Sequence, residues 1–252
     1  MDFPISDIMQ PAFWVAVGQI IGVNVIHSGN NALVIALACR MLPPRQRLWG
    51  MILGAGVAVL LRIVFTMVVA QAIALPGLKL VGGLLLLWVA VKLVVPEEND
   101  GEGKIEAAEN LWRAVRIVAI ADIVMSLDNV IAIAASAETA AARVDLAHAG
   151  MIKVTLIIFG LATSIPLIIA GSAMLMMLLE RFPILVWAGA GLLGWVAGDI
   201  MIKDDLLLKW LSPALIHDLH YWAAAVGAAL VVGIGYIILK TRRPSHEEVT
   251  DL

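Results

Sequence analysis

Two carboxylates, Asp122 and Asp128, lie in the octet Asp-Ile-Val-Met-Ser-Leu-Asp-Asn at 122–129, with apolar runs at 117–121 and 130–135 on either side. A charge at the centre of a bilayer costs roughly 2.5–3.5 kcal/mol on insertion scales. Two such charges in one apolar span point to chemistry rather than packing. The octet has an echo at 24–31, Asn-Val-Ile-His-Ser-Gly-Asn-Asn. A shift of 98 positions lays Asn24 on Asp122, Ser28 on Ser126, Asn30 on Asp128 and Asn31 on Asn129. Carboxylate, carboxamide and hydroxyl oxygens are hard ligands, suited to Mg²⁺, Ca²⁺ or Mn²⁺ rather than to Cu⁺ or Zn²⁺. Two carboxylates would neutralise one divalent ion, and an acid pair in a dry site can equally carry protons.

These groups must be positioned by helices. At about 100° per residue, Asp122, Ser126 and Asn129 share one face, as do Asn24, Ser28 and Asn31. Asp128 and Asn30 stand about 120° from Asp122 and Asn24 on that geometry. The segment Gly29-Asn30-Asn31 is a weak helix former and could unwind locally, which would let all these oxygens converge. Each polar residue also has a plainer reading. The aspartates and amides can bond polar groups of neighbouring helices, and a serine can bond its own helix backbone. Arg62 lies inside an apolar span. It could pair with one of the aspartates, hold an empty site together, or serve structure alone. Asp199 precedes Lys203 by four residues. An i,i+4 pair is the default, with a peripheral metal or gating role as the alternative.

The elements themselves read as lipid-embedded. Hydrophobic residues make up 62% of the 252 positions and charged residues 15%. Mean hydropathy is +0.96. Apolar runs of about 20 residues indicate helical spans rather than barrel strands. Seven spans are expected, at 12–38, 49–74, 77–95, 112–136, 150–177, 184–202 and 222–240. The fold class is all-α, a polytopic membrane protein. No basic stripe suits nucleic acid. No nucleophile–base set, nucleotide loop or HExxH supports an enzyme, and no resident cofactor is expected. With the N-terminus outside, eleven Lys and Arg fall on the cytoplasmic side and five outside, leaving Arg62 within a span. That count favours N-out and C-in in a bacterial-type inner membrane. No signal peptide is evident, since residues 1–10 lack a positive n-region.

The 98-residue shift lays spans one to three over spans four to six. Three is odd, so the second copy enters the membrane inverted, an arrangement that places a substrate site at the midplane between repeats. The expected organisation is a first three-helix repeat at 1–95, an acidic cytoplasmic linker at 96–111, a second repeat at 112–202, and an outer loop, seventh helix and cytoplasmic tail at 203–252.

The segments Ser-Gly-Asn-Asn-Ala-Leu-Val-Ile-Ala at 28–36 and Ser-Leu-Asp-Asn-Val-Ile-Ala-Ile-Ala at 126–134 resemble the paired Asp-Asn motifs of the TerC family of integral membrane proteins. The stretch at 82–92 and Ala-Gly-Asp-Ile-Met at 197–201 resemble that family's third and sixth spans. The resemblance implies a seven-span fold related to the lysine-exporter superfamily and a role in metal homeostasis, chiefly Mn²⁺ export, with an association with tellurium resistance. It carries the family's acids onto Asp122 and Asp128. This chain has Asn24 and Asn30 where the family usually has acids, so its site is less negative. The reading is a secondary transporter exporting a divalent cation, Mn²⁺ favoured. Asp122 and Asp128 would be charged ligands. Asn129, Asn30, Asn31 and Asn24 would be neutral ones, with Ser28, Ser126, Arg62 and Asp199 accessory. Two alternatives stand beside it: a membrane scaffold that delivers metal to partners, and an exporter of small organic solutes.

Overall fold

The computed structural model describes residues 9–68, 76–95, 104–144 and 148–242. These residues form nine α-helices and, among themselves, no strand: α1 Pro11–Cys39, α2 Pro44–Val68, α3 Leu78–Val94, α4 Lys104–Val144, α5 Ala149–Ala162, α6 Ile165–Arg181, α7 Ile184–Ile202, α8 Asp205–Leu208 and α9 Pro213–Arg242. Proline opens several of them. Pro11 and Pro166 sit in the first helical positions, where a missing N–H costs nothing and φ is already helical. Gly77, at φ +91°, makes the left-handed turn into α3 that a side chain would strain.

Among the described residues, four stretches are long and apolar enough to cross a membrane: Pro44–Thr66, Gly150–Arg181, Ile184–Ile202 and Ala214–Thr241. Large apolar side chains also face outward, Leu60, Val81, Leu84, Trp195 and Ile237 among them. Such a surface suits lipid and not water. Exposed Trp49 lies in the second turn of α2, as an interfacial belt requires, whereas exposed Trp88, Trp112 and Trp222 lie farther inside α3, α4 and α9. Lys92 reaches back over the Trp88 ring, 5.8 Å from its centroid.

The helices differ from the expected spans at several points, among them the start of α2 at Pro44 and the end of α4 at Val144. α4 begins at Lys104, so the second half of the acidic linker is helical. The helix around Gly29 does not unwind; α1 is continuous to Cys39. α9 begins at Pro213, nine residues before the expected seventh span. The expected fifth span is broken into α5 and α6, because Pro166 lacks an N–H and its ring would collide with the preceding turn. Hydroxyls in the turn before the break bond its carbonyls. Thr163 Oγ1 donates to Phe159 O at 2.9 Å and Gly160 O at 3.0 Å, and Ser164 Oγ donates to Gly160 O at 3.0 Å. Within lipid such a break is tolerated only when the backbone finds partners of this kind.

Two packing groups emerge. α9 lies chiefly on α7, and α7 lies on α3. α1, α2, α4 and α6 pack among themselves, with α5 against α1 and α4. Lipid gives helices no hydrophobic reason to associate, so close backbone approach does the work. A Cβ on Gly198 would stand 2.2 Å from Ala223 O, and one on Gly227 would stand 2.2 Å from Gly194 O. Gly198→Val should therefore part α7 from α9 and lower the thermal midpoint of detergent-solubilised protein by roughly 5–10 °C. An unchanged midpoint would show that the contact is not tight.

Candidate functional site

Asn31 on α1, Arg62 on α2 and Asp122 with Ser126 on α4 meet inside the second group. All four are buried, Arg62 at 1% exposure and Asp122 at 3%. Arg62 Nη2 donates to Asp122 Oδ1 at 2.8 Å. Ser126 Oγ donates to Asp122 Oδ2 at 3.3 Å from one turn along the same helix. With its carboxamide oxygen facing the guanidinium, Asn31 Oδ1 accepts from Arg62 Nη2 at 2.5 Å and from Nη1 at 3.3 Å. Thr66 Oγ1 donates to Arg62 O at 2.7 Å, closing the polar backbone of that turn.

The packing below the cluster fixes its depth. Gly50 on α2 meets Cys39 of α1 and Leu111 of α4, so these three residues mark one layer near one end of the bundle. Asn31 lies 8 residues from Cys39, Arg62 lies 12 from Gly50, and Asp122 lies 11 from Leu111. At about 1.5 Å per residue the cluster sits about 12–18 Å from that layer. A hydrocarbon core is roughly 30 Å thick, so the cluster is at mid-depth. Gly54 lies beside the layer that supports the cluster. A Cβ there would reach Val118 at 3.6 Å and Ile35 at 3.8 Å, and these two stand one turn from Asp122 and Asn31. α6 closes on the same region, where a Cβ on Gly171 would stand 3.6 Å from Ala32 Cβ.

The expected site residues divide into three sets. Asn31, Arg62, Asp122 and Ser126 are brought together. Asn30 is half-buried beside Asn31 on α1. Asn24 and Ser28 on α1, and Asp128 and Asn129 on α4, belong to helical backbone, but their side chains fall outside the described residues. Asp199 stands in its own i,i+4 pair, accepting from Lys203 Nζ at 2.5 Å near the end of α7. Among the described residues no group of three His, Cys, Asp or Glu could hold a metal ion. The charge facing Asp122 is a guanidinium, which stays protonated at any physiological pH. Its carboxylate is therefore compensated from within the chain.

One carboxylate that matters to the fold is not evident from the spacing of residues in the sequence. Asp204 is fully buried. Its Oδ1 accepts from Gly77 N at 2.7 Å and from Leu206 N at 2.8 Å, and its Oδ2 accepts from Leu80 N at 3.0 Å. It thus caps α8 and also the first turn of α3. Lys79 Nζ donates to Lys203 O at 3.2 Å alongside. An Asp before Asp205-Leu-Leu-Leu is a recognisable start signal for α8. Nothing in the sequence points to Gly77. Burial pushes the Asp204 carboxyl up, but backbone donation from Leu206, Gly77, Leu80 and Lys79 outweighs it and holds it below its ordinary range.

An all-helical bundle, apolar outside and charged at mid-depth, defines a multi-pass membrane protein. The comparisons with known proteins narrow this further: the profile of the integral membrane protein TerC family matches residues 9–246, and the chain belongs to that family. It is similar to uncharacterized membrane protein YjbE of Bacillus subtilis, 35% identical over 204 residues, 81% of this chain and 87% of that protein. YceF of the same organism is 28% identical over 51% of this chain and 53% of its own length. The UPF0053 inner membrane protein YgdQ of Escherichia coli is 26% identical over 49% of this chain and 59% of its own length. No solved structure matches the chain.

Proposed function

We propose that this protein is a secondary transporter that exports a divalent metal cation, Mn²⁺ favoured, through the cluster around Asp122. The observation that carries the reading is a carboxylate held at mid-depth among hydroxyl, amide and guanidinium groups from three helices. Groups of this kind in the hydrocarbon region mark ion pathways. Asp128, Asn129, Asn30, Asn31 and Asn24 would complete the ligand set. Protons would be the natural counter-ion, and the wider relationship would be to the lysine-exporter superfamily.

Seven crossings fit this reading, with α5 and α6 forming one broken span. Helix ends group as alternating crossings require. Arg40 Nη2 donates to Leu93 O at 3.2 Å and Arg47 pairs with Glu180 at one end of the bundle. Asp204 meets Gly77, and Lys153 pairs with Glu138 at 3.0 Å, at the other end. The first of these ends would be cytoplasmic, by its arginines, and the name of YgdQ favours an inner membrane. Inverted repeats are supported by a matching pattern. α2 packs on α4, and α1 packs on α5 and α6. Thr66 and Ser164, 98 residues apart, each bond the carbonyl four residues back.

The test is Mn²⁺ content and tolerance in an exporter-deficient bacterium. Wild type should lower cell Mn²⁺, and Asp122→Asn with Asp128→Asn at matched membrane levels should abolish the effect. Unchanged Mn²⁺ with wild type would sink the reading. The Arg62–Asp122 pair favours a second reading, an exporter of small zwitterionic solutes such as amino acids, whose carboxylate and ammonium would meet the two charges. Counterflow of amino acids without Mn²⁺ movement would select it.

A further inference from the structure

We infer that Arg62 is the tethered counter-cation of the empty site: it competes with the exported metal ion for Asp122 and lets the unloaded carrier return. This rests on the metal-export reading of the same cluster. The guanidinium and carboxylate come from different helices, α2 and α4, and meet 2.8 Å apart at 1% and 2% side-chain exposure. A carboxylate bare at this depth is strongly disfavoured, and a divalent ion removes that penalty only while it is bound. In the empty carrier Arg62 supplies the charge instead. Its fixed positive charge makes the exchange one of cation for cation at Asp122.

The repeat shows that this is a property of one half only. The shift of 98 residues lays Arg62 on Gly160, where no side chain can do the same. It lays Asp122 on Asn24, an amide that needs no counter-charge. The lone arginine and the carboxylate it serves are thus both departures from the repeat symmetry. With its carboxamide oxygen turned to the guanidinium, Asn31 also accepts from Arg62, at 2.5 Å from Nη2, the nitrogen that donates to Asp122, and at 3.3 Å from Nη1.

The experiment compares wild type, Arg62→Gln and Arg62→Lys as purified protein and in proteoliposomes, with Mn²⁺ as the probe. Arg62→Gln removes the competitor, so Mn²⁺ should bind about tenfold more tightly. Net efflux into Mn²⁺-free medium should fall at least tenfold, because the empty carrier now crosses with a bare carboxylate. Mn²⁺–Mn²⁺ exchange, which never empties the carrier, should persist. Arg62→Lys keeps the charge, and so guards against a variant that fails to fold. It should keep net efflux while binding Mn²⁺ about threefold more tightly, since Lys lacks the planar fork. Weaker Mn²⁺ binding in folded Arg62→Gln or Arg62→Lys overturns the role of Arg62 and leaves metal export standing. Equal loss of net efflux and exchange in Arg62→Lys overturns it as well. Absence of Mn²⁺ binding in wild type and both variants overturns the export reading and this inference together.

Discussion

Arg62→Gln alone is expected to destabilise the protein by about 3–5 kcal/mol, and Asp122→Asn alone by a similar amount, because each leaves its partner as an uncompensated buried charge. The double variant Arg62→Gln with Asp122→Asn should recover most of the loss. Two amides of similar size carry no charge to compensate, and replacing a whole buried pair is often close to neutral. Asn31 and Ser126 would remain in place as hydrogen-bonding partners for them. Equilibrium unfolding of the detergent-solubilised protein would measure all four states of this cycle. Additive single effects, with no recovery in the double variant, would show that the two residues are not coupled through the 2.8 Å contact. The destabilisation should be insensitive to salt, since a pair this deeply buried is screened little.

The second large effect is expected at Asp204. Asp204→Ala removes the acceptor for donors on both α3 and α8. One lost cap costs about 0.5–2 kcal/mol, so two should cost roughly 1–4 kcal/mol. The carboxyl also carries a pH signature. Its folded-state pKa lies below the ordinary value, so protonation favours the unfolded chain. Its contribution is fully present above the unfolded pKa of about 3.9 and is lost as pH falls through the lower folded value. Acid titration of thermal stability should therefore show a loss below about pH 4 that Asp204→Asn flattens. An identical acid limb in both proteins would assign that loss to other carboxylates. Asp204 is also what ties α3 to the chain that follows α7, so the variant should loosen that end of the bundle first.

The difference between these two carboxylates shows where local reasoning stops. Asp122, Ser126 and the apolar residues around them are legible because helix periodicity relates neighbours four residues apart. The i,i+4 contact of Asp199 with Lys203 follows from the same rule. The break before Pro166 carried a signal too, because proline in a span removes a donor and crowds the preceding turn. Span ends are less legible. Apolar content does not distinguish the helical start of α4 at Lys104 from a polar linker, nor the early start of α9 at Pro213. Unwinding at Gly29 was a fair expectation from propensity, but packing against α4 and α6 holds α1 helical.

The sequence by itself determined the solvent, the helical class and the recurrence of a polar octet at a 98-residue interval. These follow from composition and short-range periodicity, which need no knowledge of partners. Tertiary structure alone decided that Arg62 chooses Asp122 across 60 residues, that Asn31 flanks the pair, and that Asp204 reaches Gly77 across 127 residues. The physical reason is that lipid makes every apolar helix face equivalent. Which helices meet is then settled by close backbone approach, as at Gly194, Gly198 and Gly227, and by buried polar groups finding one another.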